Sequence, residues 1–293
     1  MSQENWTVDR VLAWAIQDFQ TRGIDSARLE AELLLSGVLA LDRIQLILQR
    51  SRPLNGDELS RFRDHIKRRR RGEPLFYILG RREFFGHSFR VTAAVLIPRP
   101  DSEVLVETAL ARTQSRSMYG NLLDLCTGSG CIAVAFAKQR RTWRVLATDI
   151  SEAALEVARH NVLRLGVVHQ VELRAGDLFR AVPAGRRFDA IVANPPYIPG
   201  ADVEALDVGI REFEPKLALS GGDDGLDVLR RIVRDAPSFL LPSGSLSLEI
   251  QFDQGEAVSA LLRESGFEDV QVHRDLGQRD RVVSGTLGFP DEG

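Results

Sequence analysis

The chain has 293 residues, of which 44% are hydrophobic and 27% charged. That length holds one large domain or two ordinary ones around a substantial core. With 38 basic and 41 acidic residues the net charge is −3, which excludes a wholesale nucleic-acid coat and leaves only a local basic patch open. The two cysteines, Cys126 and Cys131, flank a glycine-rich turn. No Cys/His cluster accompanies them to build a zinc site, so small buried thiols in a reducing compartment are expected, with no metal. No apolar run reaches the roughly 20 residues of a membrane span. The opening "MSQENWTVDR" has neither an apolar signal core nor an Arg/Ser-rich transit pattern, and a cytoplasmic, soluble protein is expected.

Residues 1 to 78 read as a helical bundle. Val8, Val11, Leu12, Ala15, Ile16 and Phe19 recur at three and four and form one apolar stripe. Gly23 fits a stop, with Asp25 or Ser26 as the next cap. Leu29, Leu33, Leu34 and Val38 mark a second helix. Ile44, Leu46, Ile47 and Leu48 suggest a short third, and Leu59, Phe62 and Ile66 begin a fourth. That last helix ends in Lys67, Arg68, Arg69, Arg70 and Arg71. Such a run is either a solvated helix end favoured by the dipole or a contact to phosphates or an acidic surface.

Between 82 and 97 the residues turn aromatic and β-branched, which predicts a hairpin with its turn at Gly86-His87. A linker over 79–98 therefore joins the bundle to a second domain, 99–293. Pro100 suits the first position of a helix. Strands are predicted at Leu122–Leu125, Trp143–Thr148, Val171–Leu173, Phe188–Ala193 and Ser245–Ile250. Helices fall at 130–140, 151–165, 225–241 and 254–265. This alternation is an open α/β sheet. Two final strands, near 268–273 and 281–286, have no helix between them and can pair antiparallel.

The turn "DLCTGSG", Asp124–Gly130, lies between a strand and a helix. Glycine there lets the backbone approach a ligand, beside free helix N–H groups. Asp149 ends the next strand and can accept two hydroxyls of a ribose. This fits a dinucleotide or S-adenosylmethionine (SAM). Asp124, four residues before the first glycine, favours SAM, because a carboxylate suits its cationic amino end and repels a pyrophosphate. Asp177, in "GDLF", is a candidate partner for an adenine amino group.

"NPPY", Asn194–Tyr197, follows the strand Phe188–Ala193. An amide or exocyclic amino nitrogen is a poor nucleophile because its lone pair is delocalised. Two acceptors on its two N–H bonds orient it and stabilise the charge that develops on methylation. Asn194 Oδ1 and the Pro195 carbonyl are the candidate acceptors, the latter stiffened by its own ring and by Pro196. Tyr197 can pack against the planar group. The plainer alternative is a Pro-Pro turn ending a strand.

These stretches resemble the amino methyltransferases. "RRGEPLFYILGRREFFG", "VLIPRPDSEVLVE", "REFEPKLALSGGDDGLDVLRRI", "LEIQFDQGEAV" and "RDLGQRDRVVSG" are similar to the PrmC/HemK family over nearly the whole chain. The resemblance implies a Rossmann-like SAM-dependent methyltransferase sheet behind a small helical domain that helps hold the substrate. It implies N5-methylation of the glutamine in the Gly-Gly-Gln loop of peptide-chain release factors, in translation termination, with no membrane and no stable nucleic-acid partner. By match, Cys126, Thr127, Gly128, Ser129 and Gly130 lie against the methionine part of SAM. Asp149 holds its ribose, Asp177 and Leu178 fall at the adenine end, and Asn194 meets both cofactor and substrate. Asn194, Pro195, Pro196 and Tyr197 hold the substrate glutamine, with Asn194, Pro195 and Tyr197 catalytic. Cys126 replaces the family's frequent glycine, and Leu178 stands where an aromatic is found. "DLCTGSG" is also similar to sister enzymes that methylate a large-subunit ribosomal protein, and "NPPY" to DNA adenine-N6 methyltransferases. The linker and C-terminal stretches favour release factors.

Overall fold

The computed structural model describes residues 6–288. The first five residues, where the helical-domain expectation begins, and the last five, where the methyltransferase-domain expectation ends, lie outside the described residues. The chain divides into two compact units, Met1–Gly80 with Val208–Phe213, and Arg81–Asp207 with Glu214–Gly293.

The first unit holds α1 (Val8–Thr21), α2 (Ala27–Leu39), α3 (Arg43–Leu48), α4 (Gly56–Arg70) and α5 (Leu75–Leu79). Capping boxes at Asp42/Gln45 and Asn55/Glu58 start α3 and α4 by satisfying free backbone N–H groups. Val8, Val11, Ala15, Phe19, Leu34, Leu35, Phe62 and Ile66 are all buried in one core. The short third helix departs from expectation: only Leu46 turns inward, while Ile44, Ile47 and Leu48 are exposed. The basic run is largely committed within this unit. Arg68 pairs with Glu73, Arg69 with Glu30 and Arg70 with Asp18.

The second unit begins with an antiparallel hairpin, β1 (Arg81–Phe84) and β2 (His87–Arg90). Its turn is Phe85-Gly86, both at positive φ, one residue earlier than expected. A one-turn 3-10 helix at Pro100–Ser102 leads into α6 (Glu103–Arg112). Then come β3 (Asn121–Leu125), α7 (Cys131–Gln139), β4 (Arg144–Asp149), α8 (Glu152–Arg164), β5 (Val171–Ala175) and β6 (Phe188–Ala193). After α9 (Val208–Phe213), which belongs to the first unit, follow α10 (Asp227–Asp235), β7 (Leu240–Glu249), α11 (Gly255–Glu264), β8 (Phe267–Arg274) and β9 (Asp280–Leu287). The expected helix 225–241 is cut short by Pro237, which removes a donor and disfavours helix at the residue before it. A 3-10 turn at Ala236–Phe239 takes the remainder and β7 starts at Leu240.

The seven strands lie in the order β5-β4-β3-β6-β7-β9-β8. Five are parallel, and β9 runs antiparallel to both neighbours as the missing helix predicted. Apolar clusters cover the sheet. One joins Leu122, Val145, Ala190 and Val192 to α7 and the hairpin, and the other joins Leu123, Leu146, Ile191 and Leu246 to α10 and α11. This explains the near-continuous apolar strands. The chain steps from β3 outward to β5 and returns to the other side of β3 as β6. The order therefore reverses between β3 and β6, the place where open α/β sheets bind ligands.

Candidate active site

Register places the site. Leu125 pairs with Thr148 on one side and with Ala193 on the other, and Ala193 pairs with Leu248. The turn after β3, Asp149, Asn194 and Glu249 thus leave four adjacent strands at one level. A cavity opens there, lined among others by Cys126, Thr127, Gly128, Ser129, Asp149, Asp177, Leu178, Asn194 and Pro196. Gly130, Pro195 and Tyr197 do not line it.

The turn is built by backbone constraint. Cys126, Gly128 and Gly130 all have positive φ. A Cβ on Gly128 would meet nothing within 4 Å, so its backbone faces open space. Gly130 instead caps α7 and packs against Ala158. Asn161, fully buried on α8, donates to the Ser129 carbonyl at 2.9 Å and to the Arg90 carbonyl at 3.0 Å, tying the turn to the hairpin. Nothing in the helical spacing distinguishes Asn161 from an ordinary polar position, and sequence reading missed it. Both cysteines are free. Cys126 is half-buried on the cavity wall rather than buried; desolvation of its sulfur by the surrounding wall, with Asp149 and Asp124 nearby, raises its thiol pKa, and burial pushes Cys131 up to about 12.

Asp149 accepts from the Gly128 N–H at 2.8 Å through Oδ2 and from the Ser151 N–H at 2.9 Å through Oδ1. Burial raises its pKa, and these backbone donors oppose the rise. Each oxygen retains a second acceptor site. Asp124 stands elsewhere than expected. It is fully buried, does not line the cavity, and accepts from the Thr127 hydroxyl at 2.6 Å. Burial pushes its pKa to about 7. Asp177 is ion-paired with Arg231 at 2.5 Å, and Leu178 beside it has positive φ and is buried on the cavity wall.

Asn194 Nδ2 donates to Ser102 Oγ at 3.2 Å. No hydrogen bond from the described residues engages Asn194 Oδ1 or the Pro195 carbonyl. Tyr197 turns its hydroxyl inward and donates to Glu249 Oε1 at 3.2 Å, where burial and the adjacent carboxylate raise its pKa. Gln254 Nε2 holds the Tyr197 carbonyl at 3.0 Å. Arg99, on the cavity wall, pairs with the buried Glu214 at 2.6 Å, and the Ile97 N–H also donates to Glu214. Ser102 lies 92 residues from Asn194, Glu249 and Gln254 lie 52 and 57 residues from Tyr197, Glu214 also stands outside the motif, and no local spacing signals any of them.

The sequence matches the PrmC N-terminal domain over residues 10–80 and the Methyltransferase small domain over residues 100–211. It is 46% identical over 286 residues to the Release factor glutamine methyltransferase of Geobacter sulfurreducens, covering 97% of this chain and 98% of that one. The chain belongs to the release factor glutamine methyltransferase family. Another member, from Cereibacter sphaeroides, is 44% identical over 93% of this chain and 96% of its own. A methyltransferase from Pyrococcus furiosus, 20% identical, superposes with a TM-score of 0.54 over 70% of this chain and 91% of its own, which shows a shared methyltransferase fold. Among the described residues no helix is long and apolar enough to cross a membrane.

Proposed function

We propose that this chain transfers a methyl group from SAM to the side-chain amide nitrogen of the glutamine in the Gly-Gly-Gln loop of a peptide-chain release factor. The observation that carries the reading is the pair of unengaged acceptors, Asn194 Oδ1 and the Pro195 carbonyl, at the end of β6 beside the cavity. The family's names support the release factor as acceptor protein.

The residues present fit SAM. The open backbone at Gly128 is a cradle that a side chain would fill. The Asp149 carboxylate has acceptor capacity for a vicinal diol, and Ile150, Leu178 and Val228 offer apolar walls to a purine. Thr127 and Ser129 are hydroxyls at the methionine end. When bound, SAM supplies an electrophilic methyl and its own leaving group.

The chain's task is to make a poor nucleophile competent. Asn194 Oδ1 accepts one N–H of the glutamine amide and the Pro195 carbonyl the other, fixing the nitrogen and stabilising positive charge as it develops. Proline fixes the backbone that carries the second acceptor. The first unit, matched by the PrmC N-terminal domain, helps hold the release factor. Purified protein with methyl-labelled SAM is expected to label a release factor and to leave unlabelled one whose loop glutamine is replaced. Label persisting on the replaced protein would reject the assignment.

A further inference from the structure

The Asn194 side chain has two ends of nearly equal shape, and only one accepts hydrogen bonds. Its bond to Ser102 does not by itself choose between them, because a hydroxyl both donates and accepts. The choice depends on where the Ser102 proton goes. Ser102 is buried at the end of the 3-10 helix Pro100–Ser102. Glu249, only 1% exposed at the end of β7, lies close enough for the Ser102 hydroxyl to act on its carboxylate. Tyr197 donates to Glu249 Oε1. Glu249 Oε2 is buried with no hydrogen-bond partner among the described residues. A buried carboxylate oxygen without a donor is costly; burial raises the pKa of Glu249 to about 7, and the neighbouring Ser102 hydroxyl opposes that rise by favouring the charged form. Arg281, tied to Asp275 at 3.2 Å and lying 3.6 Å from Asp101, adds positive charge on the same side.

We propose that Glu249, acting through Ser102, is a positioning residue that sets which end of the Asn194 side chain faces the cavity. In its charged form Glu249 can only accept, so it draws the Ser102 proton toward itself. Ser102 Oγ is then an acceptor toward Asn194, which binds it through Nδ2 and leaves Oδ1 for the substrate. With a neutral amide in place of Glu249, Ser102 can receive a proton from that side and donate to Asn194. The side chain then turns over and presents two donors to a substrate nitrogen that also carries donors. The inference rests on the reading of Asn194 as the substrate-amide acceptor.

The test is a double-mutant cycle at about pH 8.5, where Glu249 is charged, with Glu249→Gln and Ser102→Ala, after thermal unfolding confirms that each variant folds. Glu249→Gln is expected to lower kcat for release-factor methylation about tenfold or more, with the Kd for SAM within about twofold of the parent. In the Ser102→Ala background it is expected to add no more than about twofold, because the route to Asn194 is already cut. An equally large effect in both backgrounds, or a kcat within about twofold of the parent, overturns the proposal. A second readout needs no methyl acceptor. The Asn194 side-chain NH2 resonances, assigned by their loss in Asn194→Ala, are expected to shift in Glu249→Gln and in Ser102→Ala. Resonances unmoved in Glu249→Gln overturn the relay. A parent protein that leaves release factors unmethylated would sink the functional reading alone, and the resonances would still decide the relay.

Discussion

Gly225 lies against the Tyr197 carbonyl so closely that a Cβ on it would come within 2.3 Å of that oxygen. Its φ of 77° is also one that side chains rarely adopt. Gly221 makes the same kind of approach to the Pro196 carbonyl, at 2.7 Å. The segment after α9 thus buttresses Asn194–Tyr197 from behind, backbone on backbone. Gly225→Ala is expected to destabilise the protein by about 2–4 kcal/mol, through a clash with atoms that cannot rotate away together with backbone strain. It should also lower methyl transfer at temperatures where the variant remains folded. Denaturant unfolding and steady-state assays check both.

Gly128→Ala should behave differently. Its Cβ meets no protein atom, so the stability cost is the left-handed backbone alone, about 1 kcal/mol. The methyl would occupy the space that SAM needs. Calorimetry is expected to show SAM affinity falling at least about tenfold while the melting temperature shifts only a few degrees.

Asn194→Ala removes one of two acceptors without touching the Gly128 cradle or Asp149. The kcat is expected to drop about 100- to 1,000-fold while the SAM Kd stays nearly unchanged. Activity that survived the change would remove the mechanism proposed for the acceptor pair.

Within the basic run, Arg69 is the informative residue. It pairs with Glu30 across 39 positions, with side-chain exposures of 20% and 14%. Arg69→Ala is expected to cost about 1–3 kcal/mol in unfolding experiments, since it strands a partly buried carboxylate. A change below about 0.5 kcal/mol would return the run to being a solvated helix end.

Asp124 and Glu249 are both held at about pKa 7 by burial, above their ordinary values of 3.8 and 4.5. Between about pH 4 and pH 7 the folded chain keeps protons that the unfolded chain has released. Stability from these two groups therefore falls as pH rises through that window and levels off above it. Asp124→Asn should remove part of the fall, narrowing the difference in unfolding free energy between pH 5.5 and pH 8 by at most about 2 kcal/mol. A gap unchanged from the parent would show that Asp124 does not carry this linkage.

Much of this architecture is legible along the chain, because its signals are local. Apolar strands such as Phe188–Ala193, the glycine turn and the acid ending β4 each announce themselves within a dozen residues. So do Asn194 and its prolines. What the chain conceals is the layer behind them. Ser102, Asn161, Glu249 and Gln254 act across the sheet, and a polar residue at the end of a strand or inside a helix carries no mark of its eventual partner. Asp124 shows the opposite failure. Its spacing from Gly128 suggested a ligand contact, yet Thr127 folds over it and takes the hydrogen bond.

The reversed strand β9 has a bearing on biosynthesis. β7 carries Glu249, and its only parallel neighbour is β6; its other flank is closed by β9, residues 280–287, with Val282 directly opposite Glu249. As a polypeptide emerges from the ribosome, β3 to β6 can assemble in order, but β7 presents an open edge until that late stretch arrives. Arg281 comes with it. Polypeptides ending before Asp280 would therefore carry the whole Asn194–Tyr197 motif and the glycine turn while the flank of β7 that bears Glu249 stays unpaired. The motif is synthesised early, and the strand that closes the sheet beyond it comes late.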